Sequence, residues 1–159
     1  AREIYHSVGV EPTRYGLSSE NLLRRALHEE EFPRVNSLVD TINLCSLALL
    51  LPFGVYDVRA LQGSLTLRLG QDGDGYEGLG GRTWVNLAGF PLLADKEGPF
   101  GNPSADSART SIRPDTQDAL ITIFAPATYP KTNLELDAAD VAIAITRFNE
   151  GYLHESGTA

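Results

Sequence analysis

The sequence predicts one α+β domain, and three observations favour that fold class. First, an apolar segment near the middle of the chain has the spacing of one helix face, with apolar side chains at Leu38, Val39, Ile42, Cys45 and Leu49. Second, several short segments have the alternation or the β-branched and aromatic content of strands. Third, the 159 residues are 42% hydrophobic and 21% charged, a composition typical of one globular domain with a single core.

The central helix is predicted to begin after Asn36 and to end before Pro52. A short polar side chain such as that of Asn36 accepts a hydrogen bond from an unpaired N–H of the first turn, and proline disfavours helical geometry in the residue before it. Asp40 and Asn43 interrupt the apolar segment, and burial without a partner would cost about 1–3 kcal/mol for each. We therefore expect each of them to be exposed, hydrogen-bonded or part of a pocket.

Two further helices flank the strand-rich part of the chain. The first is predicted to start with Ser18 or Ser19 as its cap and to reach about Glu30. The second is predicted to start at Asp137 and to end before Gly151. Each has an apolar stripe, formed by Leu23, Ala26 and Leu27 in the first helix and by Val141, Ala144, Ile145 and Phe148 in the second.

The strands are predicted between these helices. Alternation over residues 65–69 predicts a strand whose three leucines form the buried face. The sequence Asp72-Gly73-Asp74-Gly75 lacks the later glycine and glutamate of a calcium-binding loop, so a hairpin turn is the better interpretation. Residues 95–114 are predicted as a long loop of the kind that carries functional groups. Further strands are predicted at Trp84–Asn86, Leu92–Ala94 and Ala119–Ala125.

Charge and composition exclude several classes of function. The net charge of −8 argues against broad electrostatic binding to DNA or RNA, although contact with an RNA end needs only a few local groups. No apolar run approaches the ~20 residues that a membrane span needs. The single cysteine, Cys45, cannot form an internal disulfide, which favours a reducing cytoplasm. The candidates for a local basic rim are Arg14, Arg24, Arg25, Arg34, Arg109 and Arg113.

Residues that bind metals or form covalent intermediates are not grouped in the sequence. His6, His28 and His154 are scattered, and neither a zinc-ligand motif nor a serine nucleophile elbow is present. Gly80 and Gly81 lie in a glycine-rich segment that lacks the lysine and hydroxyl residue of a phosphate loop. We therefore predict no metal and no cofactor, and a covalent serine or cysteine mechanism is unsupported.

Residues 32–63, with the sequence FPRVNSLVDTINLCSLALLLPFGVYDVRALQG, contain two motifs. These resemble the B3/B4 editing module of the phenylalanyl-tRNA synthetase beta subunit, in which the motifs are approximately Asn-x-Val-Val-Asp-x-Thr-Asn-Tyr and, further along, Pro-x-His-Ala-Phe-Asp. The matching residues are Asn36, Leu38, Val39, Asp40, Ile42 and Asn43, followed by Pro52, Gly54, Val55, Tyr56 and Asp57.

Freestanding proteins built from this module alone are more similar still. Their upstream motifs are matched by REIY, GVEPTRYG and SSENLLRRAL, and a later motif is matched by Asp106, Ser107, Arg109, Thr110 and Thr116. The resemblance covers residues 2–150 and implies a compact single-domain B3/B4 module over residues 1–159, with short strands in sheets and packed helices. Because the chain has no methionine and such relatives usually extend before the REIY segment, we expect a truncated N-terminus.

The resemblance implies hydrolysis of the ester that joins a wrong amino acid to the 3′ end of a tRNA. The synthetase module removes tyrosine from phenylalanine tRNA, but here Gly54 stands in place of its pocket histidine and Ile42 in place of its threonine. Its tyrosine-recognising glutamate has no clear counterpart. We therefore expect another amino acid as substrate. An arginine analogue such as canavanine, which freestanding relatives accept, would suit an acidic pocket built from Asp40, Asp57 or Asp106.

The resemblance and the residue types together indicate the candidate site. Water-mediated hydrolysis needs polar groups that hold the ester and orient a water molecule, and the loop over residues 106–116 is expected to close one wall. Arg109 is a candidate for binding the RNA end or a carboxylate, with an internal ion pair to Asp106 as the alternative. The predicted catalytic residues are Asn43, Asp106 and Thr110, and the predicted substrate-binding residues are Asp40, Gly54, Val55, Asp57, Gly80, Gly81, Ser107 and Arg109.

Three functions stay open at the level of sequence. The first is a cytoplasmic trans-editing deacylase whose partner is the aminoacylated 3′ end of tRNA. The second is a non-catalytic module that binds tRNA or an amino acid and lost its activity when the histidine became Gly54. The third is a different enzyme on the same scaffold.

Overall fold

A computed structural model describes residues 1–11, 16–81 and 83–158, within which helices and short antiparallel strands form the predicted α+β arrangement. Residues 12–15 of the GVEPTRYG motif, which include Arg14, lie outside this part of the chain. The helices are α1 (Glu3–His6), α2 (Ser18–Leu27), α3 (Ser37–Leu49) and α4 (Lys131–Asn149), with short 3-10 helices at Val58–Ala60 and Ala108–Thr110. The strands are β1 (Phe53–Asp57), β2 (Thr66–Leu69), β3 (Gly75–Glu77), β4 (Trp84–Asn86), β5 (Pro91–Asp95), β6 (Gly98–Gly101) and β7 (Ala119–Ile123).

The strands form three small antiparallel sheets within the described residues. β1 pairs with β7, with Val55 opposite Ile121. β5 lies between β2 and β6, and β3 pairs with β4 as a separate hairpin in which Glu77 lies opposite Trp84. Because β1 and β7 are far apart in sequence, this sheet brings the segment after the central helix beside the last strand.

The central helix α3 confirms the prediction from apolar spacing. The Asn36 side chain accepts a hydrogen bond from the Val39 N–H at 2.9 Å, as its role of cap requires. The helix ends before Pro52, and Leu50 takes a left-handed conformation there. The apolar face packs on β1, β7 and α4, in a cluster that includes Leu38, Ile42, Cys45, Leu49, Phe53, Val55, Ile121 and Val141.

Strand alternation on β1 then positions the candidate site. Val55 contributes to the cluster beneath α3, so its neighbours Gly54 and Tyr56 face the opposite side of the strand. That side meets β6, where Phe100 packs edge-on against Tyr56 with 4.8 Å between the ring centroids. A second apolar cluster fills the region around β3 and β5, with Tyr5, Leu17, Tyr76, Leu87, Phe90 and Leu92 among its members.

The predicted start, stripe and length of α2 are wrong. Leu17 occupies the cap position, and the Ser18 N–H donates to the Pro103 carbonyl, so a tertiary contact replaces the serine cap. Ser19 and Leu22 are the buried residues of α2, whereas Leu27 is exposed. The helix ends at Leu27 rather than near Glu30.

The predicted burial of the leucines on β2 is also wrong. Leu65, Leu67 and Leu69 are 42%, 59% and 52% exposed, because none of the described elements covers the leucine face of β2, an edge strand of its sheet. The Asp72-Gly73-Asp74-Gly75 segment is a turn, as predicted, but it connects β2 to β3, which belong to different sheets. It is therefore not a hairpin, and Asp74 instead binds the guanidinium of Arg68.

Two boundaries in the second half of the chain differ from the predictions. The predicted loop over residues 95–114 contains β6 and a 3-10 helix. Asp137 lies inside α4 rather than at its start, and its carboxylate accepts a hydrogen bond from the Tyr129 hydroxyl at 2.7 Å. Within the described residues, no helix has the length and apolar character needed to cross a bilayer.

Candidate functional site

The candidate site is centred on Asp106, which a short turn after β6 brings back onto that strand. The Asn102 side chain accepts hydrogen bonds from the N–H groups of Ser104 and Ala105, both at 2.8 Å, and so closes the turn. Asp106 then forms an antiparallel bridge with Gly101, and the Ser107 N–H donates to the Phe100 carbonyl at 2.9 Å. These contacts fix Asp106 next to β1.

The Asp106 carboxylate is half-buried and has two hydrogen-bond donors from β1. The Tyr56 hydroxyl donates to its Oδ1 at 2.7 Å, and the Val55 backbone N–H is its second donor. Burial disfavours the charged form and raises the pKa of Asp106 to about 7, against the opposing effect of these hydrogen bonds. This pKa is well above the ordinary value of an aspartic acid side chain.

The Tyr56 side chain fills the space beside Gly54. A Cβ placed on Gly54 would lie 2.0 Å from the Tyr56 Oη, and a Cβ on Gly101 would lie at the same distance from that oxygen. Tyr56 is fully buried, and burial followed by the nearby Asp106 charge raises its pKa well above its ordinary value, so the phenol stays protonated. The position where the resemblance predicts a histidine is therefore packed rather than open.

Two cavities flank the β3–β4 hairpin. The first has a volume of about 440 Å³ and is lined by residues that include Tyr76, Glu77, Trp84, Glu97, Ser107 and Arg109. The second has a volume of about 490 Å³ and is lined by residues that include Thr83, Trp84, Asn86, Phe90, Asn102 and Ser104. Trp84 lines both, and Ser107 connects the first cavity to Asp106, its neighbour in the chain.

Arg109 forms its ion pair with Asp95, not with Asp106. Its two terminal nitrogens contact the two Asp95 oxygens at 3.0 and 2.9 Å, and one of them also donates to the Ala60 carbonyl. The Asp95 side chain has no exposed surface and accepts two further backbone N–H bonds, from Gln62 and Glu97. This pair attaches the 3-10 helix at residues 108–110 to β5, so Arg109 shapes the wall of the first cavity.

Asp57 is held by a separate set of contacts at the end of β1. Its carboxylate accepts hydrogen bonds from the Arg59 guanidinium and backbone N–H and, at 2.7 Å, from the Thr116 hydroxyl. The hydrogen bond from the Arg59 side chain is the largest cause that lowers the pKa of Asp57 to about 2. These partners give Asp57 a role in joining the residues after β1 to the residues before β7.

We predict that Asp57→Asn lowers the free energy of unfolding by about 1–2 kcal/mol at pH 7, because it removes a charged acceptor whose partner Arg59 is half-exposed and screened. The Asp57 pKa is depressed in the folded state, so this stability is present above pH ~4 and is lost as pH falls through about 2. Urea unfolding from pH 7 to pH 2 measures the difference. Asp115→Asn, at the exposed second partner of Arg59, is the matched control. A difference between wild type and variant that does not shrink at low pH contradicts the prediction.

The other predicted site residues are more dispersed. The Asp40 carboxylate accepts the Val35 N–H at 2.9 Å, which is a contact at the start of α3. Asn43 is half-buried on α3 and lines neither of the two cavities. Thr110 is fully buried, and its hydroxyl has no hydrogen-bond partner among the described residues. Gly80 and Gly81 form the exposed tip of the β3–β4 hairpin, both with positive φ.

Of the predicted site residues, the structure brings together Gly54, Val55, Asp106 and Ser107. It also adds residues to the site that were not predicted as site residues. Tyr56 lies within the second motif, where its hydroxyl is the one group that the phenylalanine of the synthetase motif lacks. Gly101, Tyr76 and Trp84 have no local signal of a role, because their contacts come from distant parts of the chain. Within the described residues, no three metal-ligating side chains are grouped.

The comparison with known families identifies the domain that contains these residues. The chain matches the B3/4 domain family over residues 1–145. It belongs to that family. Since the match includes α1 to α3, all seven strands and most of α4, the B3/4 domain is the unit that carries Asp106, Tyr56 and both cavities.

Two relatives are similar to parts of this B3/4 domain. The phenylalanine–tRNA ligase beta subunit of Paramagnetospirillum magneticum is 34% identical over 65 residues, which is 41% of this chain and 8% of that protein. An N-terminal fragment of the phenylalanyl-tRNA synthetase beta subunit from Pyrococcus horikoshii has the same fold, with a TM-score of 0.59 and 16% identity over 74% of this chain and 42% of that chain. The chain thus spans less than half of either relative.

Proposed function

We propose that this B3/4 domain is a trans-editing deacylase that hydrolyses the ester between a wrong amino acid and the 3′-terminal adenosine of a tRNA. The Asp106 carboxyl group carries the proposal. It is half-buried against β1, has a pKa raised to about 7 and precedes Ser107 in the wall of the first cavity. A carboxyl group with that pKa both accepts and returns a proton at neutral pH, as a general base must.

The relatives support tRNA as the partner. Both are beta subunits of an enzyme named for joining phenylalanine to tRNA, and the B3/4 domain is the part that they share with this chain. The net charge of −8 favours contact with the aminoacylated 3′ end over a wide phosphate footprint. We place the activity in the cytoplasm, where tRNA is aminoacylated.

In the proposed reaction a water molecule attacks the ester carbonyl carbon while Asp106 accepts one of its protons. The bond between that carbon and the adenosine ribose oxygen then breaks, and the proton passes to this oxygen, so the products are the free amino acid and the uncharged tRNA. Tyr56 is a positioning residue, because its hydroxyl holds the Asp106 oxygen at 2.7 Å. Asn43 and Thr110 are the further candidates for groups that hold the ester or the water molecule.

Substrate binding is proposed for the residues around this carboxyl group. The Val55 N–H binds Asp106, Gly54 precedes Val55 on β1, and Ser107 follows Asp106 in the chain and lines the first cavity. The exposed glycines of the hairpin tip, Gly80 and Gly81, allow close approach of a ligand to the backbone. Glu77 and Glu97 in the first cavity supply negative charge for an ammonium or guanidinium group, whereas the carboxylates of Asp40 and Asp57 already bind protein groups.

One observation favours a second function, a module that binds the aminoacylated end without hydrolysis. The Tyr56 phenol occupies the space next to Gly54 and, with the Val55 N–H, holds the Asp106 carboxylate in hydrogen bonds within the protein. In that case Asp106 is a structural acceptor, and the first cavity only holds the amino acid. The two functions differ in whether the ester is cleaved.

A deacylation assay separates the two functions. The protein is incubated at pH 7.5 with a panel of tRNAs that carry radiolabelled amino acids, including tyrosine on phenylalanine tRNA and canavanine on arginine tRNA, and the remaining ester is measured over time. Binding of the same tRNAs is measured in parallel. Faster loss of at least one ester than in buffer supports the deacylase. Binding without faster loss supports the binding module and contradicts the deacylase.

A further inference from the structure

We propose that Trp84 is a stacking platform for the last nucleobase of a single-stranded RNA end, and that the two cavities meeting at it receive the groups on either side of that base. The nucleobase site requires only an RNA end. The assignment of the aminoacyl group to the first cavity rests on the proposed function.

Trp84 is both exposed and held in place. It lies on β4 with 64% of its surface exposed, although tryptophan side chains are highly buried on average. Its indole lies against the backbone of Gly75 on the neighbouring strand, since a Cβ there would be 2.7 Å from the indole Cε2 and Nε1. The absence of a side chain at Gly75 thus lets β3 support the ring, and a supported, exposed ring is what base stacking needs.

The two cavities differ in charge, and this difference determines which part of the bound RNA lies in each cavity. The first cavity is lined by Glu77 and Glu97, and the only described cation in its wall, Arg109, is already paired with Asp95. This cavity disfavours a phosphate and favours the protonated α-amino group of an aminoacyl ester. It therefore suits the aminoacyl end of the RNA.

The second cavity has the opposite character. None of its described lining residues is charged, and it combines the aromatic ring of Phe90 with the amides of Asn86 and Asn102. The Asn86 side-chain oxygen accepts a hydrogen bond from the Ala88 N–H, and the Asn102 side-chain oxygen accepts one from the Ala105 N–H. These two contacts do not involve the NH₂ group of either side chain. The exposed Asn86 amide suits a hydrogen bond to the base of the preceding nucleotide, whereas Phe90 and Asn102 are buried and line the cavity from the core.

The test uses the fact that Trp84 is the only tryptophan of the chain. Its fluorescence is followed while the protein is titrated with the trinucleotide CCA, with the same trinucleotide whose last residue lacks its base, and with AMP. Stacking quenches the indole, so we expect saturable quenching by CCA and about tenfold weaker binding of the trinucleotide without the last base, which has no base to stack on Trp84. AMP tests whether the site binds a free nucleotide rather than an RNA end. If AMP binds as tightly as CCA or more tightly, the RNA-end proposal is overturned. It is also overturned if none of the three ligands quenches the fluorescence.

Variants give a second readout. Binding of a labelled CCA-ended RNA is expected to weaken about tenfold in Trp84→Leu and to be largely retained in Trp84→Phe, which keeps a ring. Tyr152→Leu is the matched control, because Tyr152 is an exposed aromatic residue that lines neither cavity. Glu97→Gln is expected to weaken an RNA with an amide-linked amino acid at its 3′ end and to leave the uncharged RNA unchanged. Equal affinity of Trp84→Leu and wild type overturns the platform.

These outcomes are distinguishable from failure of the proposed function. Quenching and Trp84-dependent binding without hydrolysis in the deacylation assay sustain the platform and contradict the deacylase. Hydrolysis whose KM is the same in wild type and in Trp84→Leu overturns the platform and leaves the deacylase in place.

Discussion

Gly101→Ala is expected to lower the free energy of unfolding by about 3 kcal/mol or more, at the upper end of what overpacking costs. The new Cβ would lie 2.0 Å from the Tyr56 Oη and 2.6 Å from its Cζ. The ring has little freedom to move, because it is fully buried, packs edge-on against Phe100 and donates its hydroxyl to Asp106. Urea or thermal unfolding of the variant measures the loss.

A double-mutant cycle identifies the cause of this loss. Tyr56→Leu alone removes the ring and leaves a cavity, so it is itself destabilising. In that background Gly101→Ala is expected to cost less than about 1 kcal/mol, since the clashing atoms are absent. Gly157→Ala, where a Cβ would meet nothing within 4 Å, is the control. Equal losses from Gly101→Ala in both backgrounds would show that the Tyr56 ring is not the obstacle.

The same geometry explains a departure of this chain from the synthetase motif. A side chain at Gly54 would also meet the Tyr56 Oη at 2.0 Å and the Thr122 hydroxyl oxygen at 2.8 Å. Gly54 and Tyr56 therefore form a matched pair, in which the phenol takes the space that a larger residue at position 54 would need. Residues two apart on a strand share one face, so this coupling is local once the strand is formed.

Features set by local chemistry were predictable from the sequence. The spacing of Leu38, Ile42 and Cys45 and the capping chemistry of Asn36 were sufficient to place α3, because they act within the helix itself. β4 and β7 followed from their content of β-branched and aromatic residues.

Features set by distant contacts were not predictable. The alternation of Leu65, Leu67 and Leu69 correctly indicated a strand, but which face is buried depends on whether another layer covers it, and for this edge strand none of the described elements buries the leucines. The cap of α2 was wrong for a similar reason, because the Ser18 N–H is satisfied by Pro103, a residue far along the chain.

The candidate site also contains features that the sequence predicts and features that depend on distant contacts. Motif positions indicated Gly54, Val55, Asp106 and Ser107, which the fold brings together. Ionic partners decided the other positions, and sequence does not specify which of several acids an arginine will pair with: Arg109 binds Asp95, and Asp57 binds Arg59. The surroundings that raise the pKa of Asp106 arise only when β1 and β6 meet.

Asp106→Asn is expected to reduce the rate of ester hydrolysis on the order of 10²–10⁴-fold, the usual contribution of a general base. The amide keeps an oxygen that can accept the Tyr56 hydroxyl, but it cannot take a proton from water. In wild type the rate should rise with pH as Asp106 ionises and level off above its pKa of about 7, whereas the residual rate of the variant should lack that step. Asp72→Asn, at an exposed turn, is the control.

A stability measurement tests the titration of Asp106 independently of activity. The folded-state pKa is raised, so between pH ~4 and pH 7 the folded protein retains a proton that the unfolded chain releases. The free energy of unfolding of wild type should therefore fall with rising pH across this window, by more than that of Asp106→Asn, and the two curves should run parallel above it. The contrary outcome is an Asp106→Asn variant that folds, follows the wild-type pH dependence of stability and hydrolyses the ester at the wild-type rate. Asp106 would then take no part in the reaction and would be only a structural acceptor for Tyr56.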